Sequence, residues 1–243
     1  MATEHIVKSF DQELDLLKRT IAQMGGLAER QLESAIHSVM RRDSGLASRV
    51  VQADSQLDEY ENEIDNDAIR MLALRQPLAQ DLREIVSALK IASDLERIGD
   101  YAANVAKRAI ALAQVPVVRP VHTIPRMGRL VQEIIKEVLD AYADRDLDRA
   151  LAAWSQDEEV DDLYTSLFRE TLTYMMEDPR NITPCTHLLF IAKNIERMGD
   201  HATNVAETIH FLIEGKPLIE PRPKGDSSSF AVVTPDTVDD QED

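Results

Sequence analysis

Residues 91–110 read IASDLERIGDYAANVAKRAI, and residues 191–210 read IAKNIERMGDHATNVAETIH. At an offset of 100 residues, ten of these twenty positions are identical, including the Glu-Arg pair at 96–97 and 196–197 and the Gly-Asp pair at 99–100 and 199–200. Self-similarity at a fixed spacing indicates a repeated structural unit. The sequence therefore predicts that the chain contains the same unit twice.

Both copies have the apolar spacing of a helix. In the first copy the apolar residues recur at intervals of three and four, at Ile91, Leu95, Ile98, Ala102, Val105 and Ala109. This is the period of one helical face. Residues four apart lie on the same side of a helix, one turn from each other. The pattern thus predicts two columns of side-chain oxygens: Glu96, Asp100 and Asn104 in the first copy, and Glu196, Asp200 and Asn204 in the second.

These columns carry a local energetic cost. Like charges four apart destabilise a helix by roughly 0.2–0.5 kcal/mol, and Gly99 costs about 1 kcal/mol relative to alanine. Because both costs recur at matched positions, we interpret the columns as a functional site. The alternative is two solvated acidic faces, with Arg97 and Arg197 as local partners. Gly99 also belongs to a stripe of small residues with Ala103 and Ala106, which indicates close helix packing, room for a ligand, or both.

The duplication extends over most of the chain. Ile124, Met127, Gly128 and Leu130 match Ile21, Met24, Gly25 and Leu27 at an offset of 103, and Asp157 and Asp161 match Asp54 and Asp58. The offset falls to 100 between the second and third helices of the repeat, where a turn tolerates a length change. Helical periodicity predicts helices at about 4–42, 45–74, 78–114, 122–144, 147–176 and 184–214, with Asp43 or Ser44 capping the second.

We therefore predict an all-α fold of two tandem antiparallel three-helix bundles related by internal duplication. The predicted domains are a first repeat at 1–114, an extended linker at 115–121 and a second repeat at 122–214. Residues 215–243 contain four of the ten prolines, three consecutive serines and a closing acidic run. That composition predicts a disordered C-terminal tail.

Charge and composition exclude several classes of protein. A net charge of −17 argues against binding to nucleic acid and is compatible with cation binding. The single cysteine, Cys185, excludes an internal disulfide and a zinc site built from cysteines. The N-terminus lacks the pattern of a signal peptide, and no apolar run is long enough to span a membrane. We predict a cytoplasmic protein.

The two columns have the chemistry of a hard metal site. Carboxylate and amide oxygens suit magnesium, calcium, manganese or oxidised iron, and helical bundles often bring such pairs together. Glu96, Asp100, Glu196 and Asp200 are the principal candidate ligands. The weaker candidates are Asn104, Asn204, Asp54, Asp58, Asp157 and Asp161.

The remaining motifs argue against an enzyme. The six histidines form a single Glu-x-x-His pair, Glu207 with His210, whereas di-iron oxidases of the ferritin type use two. The chain has neither a glycine loop for phosphate nor a G-x-S-x-G motif. We predict no catalytic activity. A carboxylate-bridged metal enzyme on a helical bundle and a purely structural scaffold remain the alternatives.

Residues 73–109, ALRQPLAQDLREIVSALKIASDLERIGDYAANVAKRA, together with residues 194–207, NIERMGDHATNVAE, resemble the PhoU family of accessory proteins of phosphate-specific transport. The resemblance covers about residues 5–214. It implies two related three-helix bundles whose E/D-x-x-x-D motifs bind metal, here Glu96 with Asp100 and Glu196 with Asp200. The identity of the metal stays open among iron, manganese, magnesium and zinc.

The resemblance also implies a regulatory role. The family is a negative regulator of the phosphate-starvation response and of phosphate uptake, and it couples the phosphate ABC transporter to a sensor histidine kinase. The expected partners are therefore the cytoplasmic face of that transporter and the kinase, which would place the chain at the inner membrane through protein contacts. We also predict a homodimer, although the sequence carries no dimer-specific signal.

Overall fold

The computed structural model describes residues 2–75, 77–220, 222, 225 and 226, and for residues 2–9 it describes the backbone only. Over these residues the chain forms eight α-helices: α1 Ala2–Arg41, α2 Ser44–Ala53, α3 Ser55–Arg75, α4 Ala79–Leu112, α5 Ile124–Asp144, α6 Leu147–Ser155, α7 Asp157–Glu177 and α8 Ile182–Glu214. Two short 3-10 helices span Arg119–Thr123 and Pro179–Asn181. The described part of the chain contains no β-strand, which confirms the all-α prediction.

The second helix of each repeat is interrupted at one residue, a point here called the bend, where the sequence predicts one continuous helix. The first repeat divides it into α2 and α3 at Asp54, and the second divides it into α6 and α7 at Gln156. At the bends the backbone N–H of Leu57 donates to the carbonyl of Asp54 at 2.9 Å, and that of Glu159 donates to Gln156 at 3.2 Å. These bonds span three residues instead of four, so the backbone is tighter there than in an α-helix. Periodicity did not predict the bends because the residues at the bends are compatible with helix.

Side-chain caps begin α2 and α6. The carboxylate of Asp43 accepts the backbone N–H of Leu46 at 2.9 Å, and that of Asp146 accepts the backbone N–H of Arg149 at 3.0 Å. Of the two residues predicted to cap the start of α2, Asp43 is therefore the one whose side chain caps the helix. The two repeats begin this element in the same way.

The two bundles pack side by side on a shared core. Helices α4 and α8 lie antiparallel at the centre and make the most extensive contact in the molecule. Lys90 near the start of α4 lies over the ring of Phe211 near the end of α8, and Arg108 near the end of α4 lies over the ring of Phe190 near the start of α8. Equivalent positions of the repeats thus face each other across a pseudo-twofold axis. The duplicated motif lies on the two central helices.

The connections differ in part from the prediction. The linker predicted as extended ends in the 3-10 helix Arg119–Thr123, whose second residue is a buried proline, Pro120. Proline at the start of a helix loses no hydrogen bond, which explains the helical turn. After Gly215 the described residues form neither helix nor strand. Of the tail predicted as disordered, residues 215–243, the positions 221, 223, 224 and 227–243 lie outside the described residues.

Candidate functional site

The first carboxylate cluster lies where the bend between α2 and α3 meets the middle of α4. We define it as Asp54, Asp58, Glu61, Glu96 and Asp100. Burial raises the pKa of Glu96 to about 7, and the negative charge of Asp100 adds to that effect. Burial, followed by the charges of Asp100 and Asp58, also raises the pKa of Asp54. The bend therefore places the acidic pair of α2 and α3 beside the predicted column on α4.

Arg97 is the cation of this first cluster. Its Nη1 lies 3.0 Å from Asp100 Oδ2, and its Nε lies 3.5 Å from Glu96 Oε2. The Arg97 side chain is 54% exposed, so water screens both ion pairs strongly. Arg197 does not reproduce this arrangement, because its guanidinium lies 5.8 Å from the ring centre of Tyr101.

The second carboxylate cluster lies where the bend between α6 and α7 meets α8. We define it as Asp157, Asp161, Glu196 and Asp200. The first three are at least 96% buried, and Asp157 Oδ1 and Glu196 Oε2 are buried without a hydrogen-bond partner among the described residues. Burial raises the pKa of Asp157 to about 7, although the nearby Arg222 opposes the shift. Burial also raises the pKa values of Asp161 and Glu196.

The environment of the second cluster differs from that of the first at two matched positions. Tyr164 replaces Glu61 at an offset of 103, and Lys193 replaces Ser93 at an offset of 100. The Nζ of Lys193 lies 2.8 Å from Glu196 Oε1 and 4.8 Å from the ring centre of Tyr164. The second cluster thus has an aromatic ring in place of the fifth carboxylate and gains a cation at a position where the first repeat has a serine.

Sequence reasoning missed Glu61 and Arg222. The signal for Glu61 was available, because Asp54, Asp58 and Glu61 have the spacing of a single helical face. Arg222 belongs to the tail, where no periodicity relates it to the repeat. Its guanidinium nevertheless lies against Asp157 and Asp200.

The two asparagines do not join the carboxylates. Asn204 Nδ2 donates to Asp94 Oδ1 at 3.2 Å, and His201 Nδ1 lies 2.8 Å from the same oxygen. Asn104 lines the opposite end of the contact between α4 and α8. Eight residues along a helix turn the side chain by about 80° from the starting direction. That rotation carries both asparagines from the carboxylate column to the interface of the repeats.

The donor set of both clusters fits a hard cation by its chemistry. Only oxygen atoms are offered, and two of them are buried and unpartnered in the second cluster. Among the described residues, however, no three His, Cys, Asp or Glu side chains are close enough together to hold a metal ion. Binding would require the carboxylates to turn toward one another. Glu96, Asp100, Glu196 and Asp200 as ligands therefore stay a prediction.

We expect the metal-free protein to lose stability as the pH rises from about 4.5 to about 7. The pKa of Glu96 rises on folding from 4.5 to about 7, so in this window the folded state binds more protons than the unfolded state. The free energy of unfolding then falls with increasing pH. Glu96→Gln should make this fall shallower in thermal melts between pH 5 and 7.5. Glu33→Gln, on the exposed face of α1, is the control for the loss of one charge, and equal slopes in all three proteins would contradict the prediction.

The fold and the site together define a class: a duplicated helical-bundle protein that carries one acidic, oxygen-rich cluster on each repeat. The PhoU domain model matches this chain twice, at residues 21–109 and 124–209. These segments contain both clusters. The chain therefore belongs to the PhoU family, and the resemblance stated from its motifs is confirmed.

Relatives of nearly the same length carry the same family name. The chain is 54% identical over 225 residues to a "phosphate-specific transport system accessory protein PhoU homolog" of Caulobacter vibrioides, covering 92% of this chain and 98% of that one. The homolog of Rhizobium meliloti is 50% identical over 230 residues, with 94% and 97% covered. The crystal structure of PhoU from Pseudomonas aeruginosa superimposes with a TM-score of 0.83 at 42% identity and covers 85% of this chain and 100% of that one.

Proposed function

We propose that this chain is a regulatory accessory protein of phosphate transport. It associates with a phosphate ABC transporter at the cytoplasmic face and keeps uptake and the phosphate-starvation response low when phosphate is abundant. The observation that carries the proposal is the match to relatives named as transport accessory proteins over nearly the whole of both chains. Over the described residues, no helix has the length and apolar character needed to cross a membrane. A membrane partner would therefore be reached by surface contact.

The signalling part of the proposal rests on the family resemblance. The chain couples the transporter to a sensor histidine kinase, acts as a homodimer and does not bind nucleic acid. The net charge of −17 supports protein partners with basic surfaces over nucleic acid.

The third part of the proposal is that the carboxylate clusters bind a divalent or trivalent hard cation. Glu96 and Asp100 would hold it in the first cluster, and Glu196 and Asp200 in the second, each with the acidic pair of the neighbouring helix. A bound cation supplies positive charge that neutralises the crowded carboxylates. The raised pKa of Glu96 supports this role, because it reflects burial and a neighbouring negative charge that a cation would offset. No observation favours the metal enzyme over the regulatory adaptor.

Deletion of the gene tests the regulatory role. Cells without the chain should express phosphate-starvation genes in phosphate-rich medium, and a plasmid copy should restore repression. The measurement is a transcriptional reporter at high and low phosphate, with transporter co-purification from the complemented strain as the test of association. Repression that persists in the deletion strain would contradict the regulatory proposal.

A further inference from the structure

A cation from the chain's own tail is inserted into the second carboxylate cluster. Arg222 Nη1 lies 2.9 Å from Asp200 Oδ1, and Nη2 lies 3.0 Å from Asp157 Oδ2. The same Nη2 donates to the backbone carbonyl of Asp200 at 2.9 Å. The Arg222 side chain is only 14% exposed. The guanidinium therefore bridges one carboxylate from α7 and one from α8, which are the groups that a metal ion would bridge.

Two further tail residues hold this arrangement in place. The backbone N–H of Gly225 donates to Asp161 Oδ2 at 3.0 Å, and Asp226 Oδ2 lies 3.1 Å from the Nζ of Lys193, which also pairs with Glu196. Arg222, Gly225 and Asp226 are here called the tail clasp. Through direct contacts and through Lys193, the tail clasp engages all four carboxylates of the cluster.

Gly225 lies very close to α7. A Cβ at this position would lie 3.1 Å from the backbone carbonyl oxygen of Glu158 and 2.8 Å from Asp162 Oδ1. The carbonyl belongs to the first turn of a helix and cannot move aside without disturbing it. The fit of the tail clasp thus depends on shape as well as on charge.

The first cluster has no comparable cover among the described residues. Its cation is Arg97, which lies on the same helix as Glu96 and Asp100 and is largely exposed. The two clusters share four matching carboxylates from one ancestral unit, but among the described residues only the second is filled by a distant part of the chain. The tail therefore adds a difference between the clusters beyond the exchanges of Glu61 for Tyr164 and of Ser93 for Lys193.

We propose that the second carboxylate cluster is a guanidinium-binding site occupied in cis by Arg222, and that the tail clasp competes with a hard cation for it. This inference rests on the proposed metal binding. Arg222 pairs with the carboxylates of Asp157 and Asp200, which are also candidate ligands of a metal ion, and the two cations would repel each other at close range. The tail clasp must therefore lower the affinity of the second cluster for metal. Because coupling between two binding events is reciprocal, metal binding must release the tail clasp by the same factor.

The competition is measured by titrating Mn²⁺ into the full chain by calorimetry. Glu96→Gln with Asp100→Asn removes the first site, so that the second is observed alone. In this background Arg222→Gln should tighten Mn²⁺ binding about tenfold, within the range of about 5–150-fold typical of coupling between sites. Arg180→Gln is the matched control, because the Arg180 side chain is 90% exposed and pairs with Asp178 at the surface. It should leave the affinity unchanged.

A second variant displaces the tail clasp without removing the positive charge of Arg222. Gly225→Leu keeps Arg222 but prevents close approach to α7, so it should also tighten Mn²⁺ binding. The backbone amide of Gly225 provides a readout independent of metal affinity, since hydrogen exchange reports local opening. Its exchange, followed by mass spectrometry, should be slow in the metal-free wild type. It should become fast in Arg222→Gln and at saturating Mn²⁺.

The outcomes distinguish this inference from the proposed function. If Mn²⁺ binds the first cluster but Arg222→Gln leaves the second affinity unchanged or weaker, the competition is overturned and metal binding by the chain stands. If Mn²⁺ binds neither cluster, even in Arg222→Gln, both the metal proposal and the competition fail. Fast exchange of the Gly225 amide in the metal-free wild type would also overturn the tail clasp.

Discussion

Leu57→Ala should lower the free energy of unfolding by about 3–4 kcal/mol, because truncating a buried leucine removes apolar burial and leaves a cavity. Leu57 is fully buried at the start of α3, and its Cδ1 occupies the space where Gly99 on α4 has no side chain. The glycine of the duplicated motif thus accepts a leucine from the neighbouring helix. Of the two interpretations of the small-residue stripe, close helix packing is therefore the one that applies at Gly99.

The same contact predicts that Gly99→Ala lowers the free energy of unfolding in the wild type and raises it in Leu57→Ala. In the wild type the new Cβ would collide with Leu57 and cost about 1–3 kcal/mol of overpacking. In Leu57→Ala the collision with Leu57 is gone, although Gln31 Oε1, 3.2 Å from the new Cβ, must shift slightly. Alanine should then stabilise the helix by up to about 1 kcal/mol over glycine. Urea unfolding of the four proteins measures the coupling. Leu167→Ala, a fully buried leucine in α7, is the control and should combine additively with Gly99→Ala; additivity with Leu57→Ala would contradict the packing interpretation.

Manganese or iron should raise the melting temperature of the wild type, and a chelator should reverse the effect. A ligand that binds only the folded state stabilises it by about 2.7 kcal/mol at a hundredfold excess over its dissociation constant. For a chain of this size that corresponds to a rise of roughly 5–10 °C. Metal binding is the part of the proposed function that this experiment tests.

Glu96→Gln with Asp100→Asn is the variant that assigns the response to the first cluster. It keeps the side-chain shapes and removes two like charges, so the metal-free variant should be as stable as the wild type or more stable. Its only loss is the pairing with Arg97, and exposed ion pairs contribute about 0–1 kcal/mol. The contribution of the first site to the metal response should disappear. A wild type and a variant that respond equally would mean that the first column is a solvated face and not a set of ligands.

The duplication, the helical class and the acidic pairs were all predictable from the sequence. A helix brings residues four apart to one side whatever surrounds it, so Glu96 and Asp100 could be paired without any knowledge of the fold. The match of Asp54 with Asp157 likewise needed only the repeat offset. These are local properties, and local spacing determines them.

The tertiary structure decided everything that depends on contacts between distant segments. The packing of α3 on α4 brings Glu61 to the first cluster, and the antiparallel packing of α4 on α8 brings Asp94 within hydrogen-bond distance of Asn204. The part of the inequality of the two clusters that comes from the tail was equally hidden, because it arises when Arg222 folds back onto Asp200 from 22 residues along the chain. No periodicity relates the tail to the helices. The sequence alone determined which carboxylates exist in pairs, whereas burial, fixed by packing, decided which pair is open and which is filled by the protein's own cation.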